Sequence, residues 1–242
     1  MLINSIEECC KALRFSKNLV DNSKTFKADT HEEYLLGLLQ MEIKYREELR
    51  KERLIKNAGF YNRKHFNTFR FDDVSLPSGI NQEYLRDCRF VKEKKNLVFF
   101  GNTGSGKTHL AQALGLEACN QGKQVSFFRT AALVNKLSEA KNEKTLSTLL
   151  KRIMKSELLI LDEWGYVPLD RDGARLLFEI ISECYETKSI IVTTNIEFSR
   201  WSNILYDEQM TSALLDRLLH HCYLLIFNGD SDRMKNSLIR LT

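Results

Sequence analysis

Proline is almost absent from this chain. Pro77 and Pro168 are the two in 242 residues, so no proline-rich linker divides it. Cysteine is present but unpatterned: Cys9, Cys10, Cys88, Cys119, Cys184 and Cys222 form no C-x-x-C pair. That spacing excludes a zinc ribbon or a dithiol redox motif and fits free thiols in a reducing compartment. Apolar runs are short. None approaches the roughly 20 residues of a membrane helix, so no membrane partner is expected. The stretch from Met1 to Glu8 has no basic segment and no long apolar core. No secretory leader is expected there, and a cytoplasmic location is. Charge of one sign is also scarce, since a net +4 permits nucleic-acid binding without requiring it.

The length suffices for one full α/β domain and a smaller appendage. Residues 1–65 read as a helical, partly basic domain, 66–95 as a connector, and 96–242 as the main domain. In the first, Thr30-His-Glu-Glu33 has the form of a capping box. Leu35, Leu38, Leu39 and Ile43 follow at helical spacing. From residue 41 to 65 basic side chains outnumber acidic ones. Two readings stay open: a solvated face laced with i,i+4 ion pairs, or a phosphate-contacting stripe.

Beyond Pro77-Ser-Gly79 the texture changes. Short apolar runs at 96–100, 125–128, 158–161, 190–193 and 223–227 alternate with helical segments, one of them over 109–120. Continuous apolar strands separated by helices predict a five-stranded parallel sheet covered on both faces.

The chemistry-bearing motif follows the first of these strands. Gly101, Asn102, Thr103, Gly104, Ser105, Gly106, Lys107 and Thr108 fit G-x-x-x-x-G-K-[ST], and His109 completes the predicted nucleotide cradle. Glycines let successive amides turn inward onto phosphate oxygens. Lys107 supplies a point charge for the β- and γ-phosphates, and the Thr108 hydroxyl suits Mg2+. The helix that opens here favours an anion at its N-terminus. ATP with Mg2+ is therefore the expected cofactor.

A carboxylate at the end of a neighbouring strand is needed to complete the metal shell. Asp162 fills that place after Leu158-Leu-Ile-Leu161, and Glu163, one step on, suits a base for attacking water. The run Thr193-Thr194-Asn195 puts an amide at another strand end, where parallel sheets bind ligands. Asn195 is expected to orient the same water or touch the γ-phosphate.

From about Thr30 onward the chain resembles the IstB-like transposition helper ATPases of IS21-type insertion elements, relatives of the bacterial helicase loaders within the AAA+ class. The resemblance rests on residues 106–111 (GKTHLA), 159–169 (LILDEWGYVPL), 193–195 (TTN) and 213–221 (ALLDRLLHH). It implies an AAA+ sheet with the Thr-Thr-Asn strand between the other two motif strands. It implies that Asn195 is a first sensor and that Arg217 is a finger offered to a neighbouring subunit's nucleotide. Arg233 would be a second sensor. It further implies a homo-oligomer with ATP sites at subunit interfaces, double-stranded DNA, and a partner transposase. The loop departs from the common Gly-Pro-Pro-Gly-Thr-Gly, and Asp232 stands where an aromatic is common; neither removes a phosphate-binding residue type.

The alternative within this class is a helicase loader or replication-initiation ATPase, with the same chemistry and another partner. A small-molecule kinase and a binding module without turnover fit less well, given Glu163 and Asn195. DNA contact is expected from Arg46, Arg50, Lys51, Arg53 and Lys56, and from Arg129, Thr130, Lys136 and Lys141. The adenine is expected against Phe66, Phe69 and Phe71, which otherwise close a core. His220 and His221 read as helix-end residues; on a helix they point about 100° apart and are not expected to share a metal.

Overall fold

The structure, a computed structural model, describes residues 2–166, 169–205 and 207–229. It divides into two compact units between Arg53 and Leu54.

The first unit holds α1 (Leu2–Ala12), α2 (Lys17–Thr25) and most of α3 (His31–Ala58). The capping box forms as its chemistry requires. Thr30 Oγ1 accepts from the Glu33 amide at 3.2 Å, and Glu33 Oε2 accepts from the Thr30 amide at 3.3 Å. The face of α3 that packs within this unit carries Leu38 and Glu42, four residues apart, both buried. Leu35, Leu39 and Ile43, the other members of the apolar spacing, are exposed. Buried Glu42 accepts from the Ser16 amide at 2.8 Å, from the Ser16 hydroxyl, and from Arg46 Nε at 2.7 Å.

The second unit carries β1 (Val74–Ser75), α4 (Gln82–Arg86), α5 (Arg89–Lys92), β2 (Asn96–Gly101), α6 (Lys107–Asn120), β3 (Val125–Arg129), α7 (Thr130–Asn142) and α8 (Leu146–Met154). It continues with β4 (Leu158–Trp164), α9 (Arg171–Cys184), β5 (Ser189–Thr194), α10 (Ser202–Leu205), α11 (Glu208–Leu219) and β6 (Cys222–Phe227). The sheet runs β1-β6-β2-β5-β4-β3. Five strands are parallel, as the sequence predicts. The sixth, β1, is an addition. It pairs antiparallel with β6, Val74 opposite Phe227, and two residues are too few for any periodicity to show.

The apolar strands are double-faced because helices cover both sides. Leu97, Phe99, Leu158 and Ile160 enter one core, while Val98, Leu159 and Leu161 enter the other. Phe66 is buried in the first core, with Phe69 and Phe71 against it. On the opposite face Trp164 and Trp201 are fully buried and stack at 4.7 Å between centroids. No helix among the described residues is long and apolar enough to cross a membrane.

The strand order puts β5 between β2 and β4, as the resemblance implies. The C-terminal ends of β2, β4 and β5 therefore converge, and with them the glycine loop, the two acids and the Thr-Thr-Asn run.

Candidate active site

The loop after β2 is built by its glycines. Gly101 has φ +153°, and a Cβ there would collide with the Phe227 carbonyl oxygen. Gly106 caps α6 with φ +96°, and a Cβ there would meet the Phe69 ring at 3.1 Å. Lys107 turns its ammonium back over the loop, donating to the carbonyl oxygens of Gly101 and Asn102 at 2.7 Å each. His109 looks the other way. Its Nε2 lies 3.2 Å from Thr68 Oγ1 and from the His65 carbonyl oxygen, and its ring meets the edge of Phe69. A cavity of about 360 Å³ borders Phe69, Ser105, Gly106 and His109.

The two acids sit on a β-bulge. Leu161 pairs with Val192 and Trp164 with Thr194, so Asp162 and Glu163 together oppose Thr193 alone. Such an insertion bends the strand and redirects its side chains. Glu163 takes the left-handed conformation, φ +59°, a strain that non-glycine residues hold where the surroundings enforce it. Thr193 is the plug. Its hydroxyl accepts from the Glu163 amide at 3.0 Å and donates to Asp162 Oδ1 at 2.5 Å.

The bulge sends the acids into opposite environments. Asp162 is fully buried. Its Oδ1 also accepts from Thr108 Oγ1 at 2.9 Å, and its Oδ2 from the Tyr61 hydroxyl at 3.1 Å. Arg129 also acts on it electrostatically. Glu163 is exposed and lies 3.6 Å from Arg129 Nε. Arg129 ends β3 in register with Asp162, and its guanidinium sits 4.3 Å from the Tyr61 ring centre. Burial, followed by the Asp162 charge, raises the Tyr61 pKa, so its hydroxyl stays a donor at neutral pH.

Asn195 follows β5 and is exposed. With Glu163, Thr108, Lys107, Thr194 and Tyr166 it lines a small cavity of about 110 Å³. The structure thus gathers the glycine loop, Lys107, Thr108, Asp162, Glu163 and Asn195. Arg217 is elsewhere. On α11 its guanidinium donates to the Ala213 carbonyl at 2.9 Å and lies over the Phe178 ring, and it lines none of the cavities at the loop. Arg233 lies outside the described residues.

Three site residues carry no role at the nucleotide in the sequence reading. Thr193 was within the Thr-Thr-Asn run, but its hydroxyl's task depends on the bulge. Arg129 stood in the DNA group; yet it follows its strand at the offset at which Asp162 follows the adjacent one, a signal that places them side by side. Tyr61 carries no signal at all. Of the other cations in that group, Lys136 lies over Phe128 and Lys141 pairs with Asp172 at 2.7 Å. His220 and His221 end α11 as expected, His220 as its C-cap, but their rings lie close rather than splayed apart. They occupy the turn between α11 and β6, with rings 4.0 Å apart. Together with Glu186 they bring ligand atoms within 4.8 Å of one another.

Comparison with known proteins adds a family. The model described as IstB-like ATP binding protein matches residues 12–239. The chain is 37% identical over 207 residues to an ATP-binding protein of insertion sequence IS232 from Bacillus thuringiensis subsp. berliner, covering 84% of this chain and 82% of that one. It is 36% identical over 208 residues to the corresponding protein of IS21 from Pseudomonas aeruginosa, covering 85% and 77%. Among solved structures it is similar to the DnaC helicase loader, with 27% identity, a TM-score of 0.50, and coverage of 69% and 97%.

Proposed function

The chain belongs to the IstB-like ATP-binding family of insertion-sequence proteins, and from that premise we propose that it is an ATPase that assembles on double-stranded DNA and regulates a partner transposase, hydrolysis resetting the assembly. The observation that carries the ATPase reading is the bulge at the end of β4, which turns one acid onto Thr108 and the other toward the cavity beside Lys107 and Asn195. A protein that only holds nucleotide has no use for the second acid in a strained backbone position.

In this reading Lys107 and the loop amides bind the phosphates. Thr108 and Asp162 would hold Mg2+: two hard oxygens 2.9 Å apart, one from a buried carboxylate, match the ligand chemistry of that ion. When bound, Mg2+ neutralises charge on the β- and γ-phosphates. Glu163 accepts the proton of the attacking water, and Asn195 orients that water. The adenine lies beside Phe69 and His109. Arg217 comes from a neighbouring subunit, where a guanidinium on the transferring phosphoryl group accelerates reaction by about 10³–10⁵. Arg233 serves as the second sensor.

DNA contact falls to the basic stretch of α3, including Arg50, Lys51 and Lys56, through phosphates and with little sequence preference. Two measurements test the reading together. ATP turnover should rise with protein concentration and with added duplex, and a gel shift should differ between ATP, ADP and no nucleotide. Arg217→Ala mixed with Lys107→Ala should regain turnover that neither shows alone. No turnover at any concentration, or DNA binding indifferent to nucleotide and salt, sinks it.

A second reading, a helicase loader, is favoured by the likeness to DnaC. It leaves the chemistry unchanged. Co-purification with a replicative helicase rather than the transposase would decide for it.

A further inference from the structure

We propose that Tyr61 is a positioning residue that ties the two acids of the site together, its hydroxyl holding Asp162 and its ring holding Arg129 against Glu163. The inference rests on the ATPase reading above and names a residue on which nothing in the sequence casts light.

The contacts form a closed circuit. The Tyr61 hydroxyl donates to Asp162 Oδ2 at 3.1 Å. Arg129 lies 4.3 Å above the same ring, within cation–π range. Arg129 Nε is 3.6 Å from Glu163 Oε2. Glu163 follows Asp162 in the chain and closes the loop. Phe127 meets the ring edge-on at 5.6 Å. Each link is weak enough to give way, because Tyr61, Arg129 and Glu163 are all partly exposed. Tyr61 also borders a cavity of about 340 Å³ shared with Lys107 and Thr108, so the ring has somewhere to go.

The two ends of the circuit answer to different events. On Asp162, the Tyr61 hydroxyl competes with any cation drawn to the same carboxylate. On Glu163, Arg129 competes with water for the carboxylate that must take a proton. A ring that swings away from Asp162 carries off the platform beneath Arg129. Filling of the metal-side acid is thereby linked to release of the water-side acid.

Two variants separate the hydroxyl from the ring. Tyr61→Phe removes the competing donor, together with the hydroxyl's own contact with Arg129, and keeps the ring face. The Mg2+ concentration for half-maximal binding of a non-hydrolysable ATP analogue should fall by about tenfold, the order expected for one hydrogen bond to a charged group. Tyr61→Ala removes the platform too, so basal turnover should rise as it does in Arg129→Ala, and the double variant should rise no further. An unchanged Mg2+ midpoint in Tyr61→Phe overturns the hydroxyl link. Additive effects of Tyr61→Ala and Arg129→Ala overturn the ring link. If the wild type binds nucleotide but never turns over, the ATPase reading fails by itself, and the Mg2+ titration still judges Tyr61.

Discussion

Glu42 and Asp162 are the two buried carboxylates among the described residues, one in each unit. Glu42 is compensated on the spot. Arg46, one helical turn on, shares its oxygen, and Ser16 gives it an amide and a hydroxyl. Burial pushes its pKa up, but the hydrogen bonds from Ser16 and the Arg46 charge outweigh that and hold it below the ordinary value. Asp162 receives three hydroxyls, from Tyr61, Thr108 and Thr193. A helical neighbour's cation holds Glu42, whereas hydroxyls of the glycine loop and its surroundings hold Asp162, so the first acid serves the fold and the second is kept for a ligand.

The same carboxyl-to-amide exchange at each position sharpens this contrast. Asp162→Asn should lower turnover by roughly 10³-fold or more, since a metal supplies several kcal/mol of transition-state stabilisation. Its melting temperature should hold, because the amide keeps the shape of the carboxylate and removes a buried charge. A fall of several degrees would break the comparison. Glu163→Gln should lower turnover by about 10²–10⁴, with ATP affinity and melting temperature both kept, as measured by equilibrium nucleotide binding and thermal unfolding. Loss of ATP affinity there would put Glu163 among the phosphate-binding groups instead.

Glu42→Gln should behave in the opposite way. Turnover should hold, while hydrogen exchange across residues 2–53 should quicken, reflecting a loss of about 1.5–3 kcal/mol for hydrogen bonds to a charged group. The smallest effect is on pH dependence. A carboxyl whose folded pKa is lowered adds stability above its unfolded value, about 4.3, and loses it as pH falls toward the folded one. The helical signal of the first unit should therefore weaken on acidification below that value. In Arg46→Ala the loss should begin at higher pH. A helical signal independent of pH through this range would remove Glu42 from its assigned place.

What the sequence disclosed and what it hid follow a physical line. The parallel strands were legible because burial on both faces leaves nothing but apolar residues. The glycine loop and the acid pair were legible because each needs particular residue types at fixed spacing. The bulge was not, since it arises from a register shift between β4 and β5 rather than from β4 itself. Tyr61 was not, because its partner Asp162 is 101 residues away and nothing local distinguishes it from any loop tyrosine. On α3 the apolar spacing announced a helix correctly, but Leu35, Leu39 and Ile43 are exposed while Glu42 is buried. Periodicity names a face; partners such as Ser16 and Arg46 decide which face is covered.

Trp164 comes directly after Glu163 and packs against Trp201, ring centres 4.7 Å apart and planes tilted by 31°, out of reach of solvent. The chain has no third tryptophan. Its indole emission therefore arises wholly from the end of β4 and the segment after β5, one peptide bond from the strained glutamate. The stacked pair is an optical gauge already installed in the protein, and any motion of that strand end on nucleotide loading should register as a change in unlabelled fluorescence.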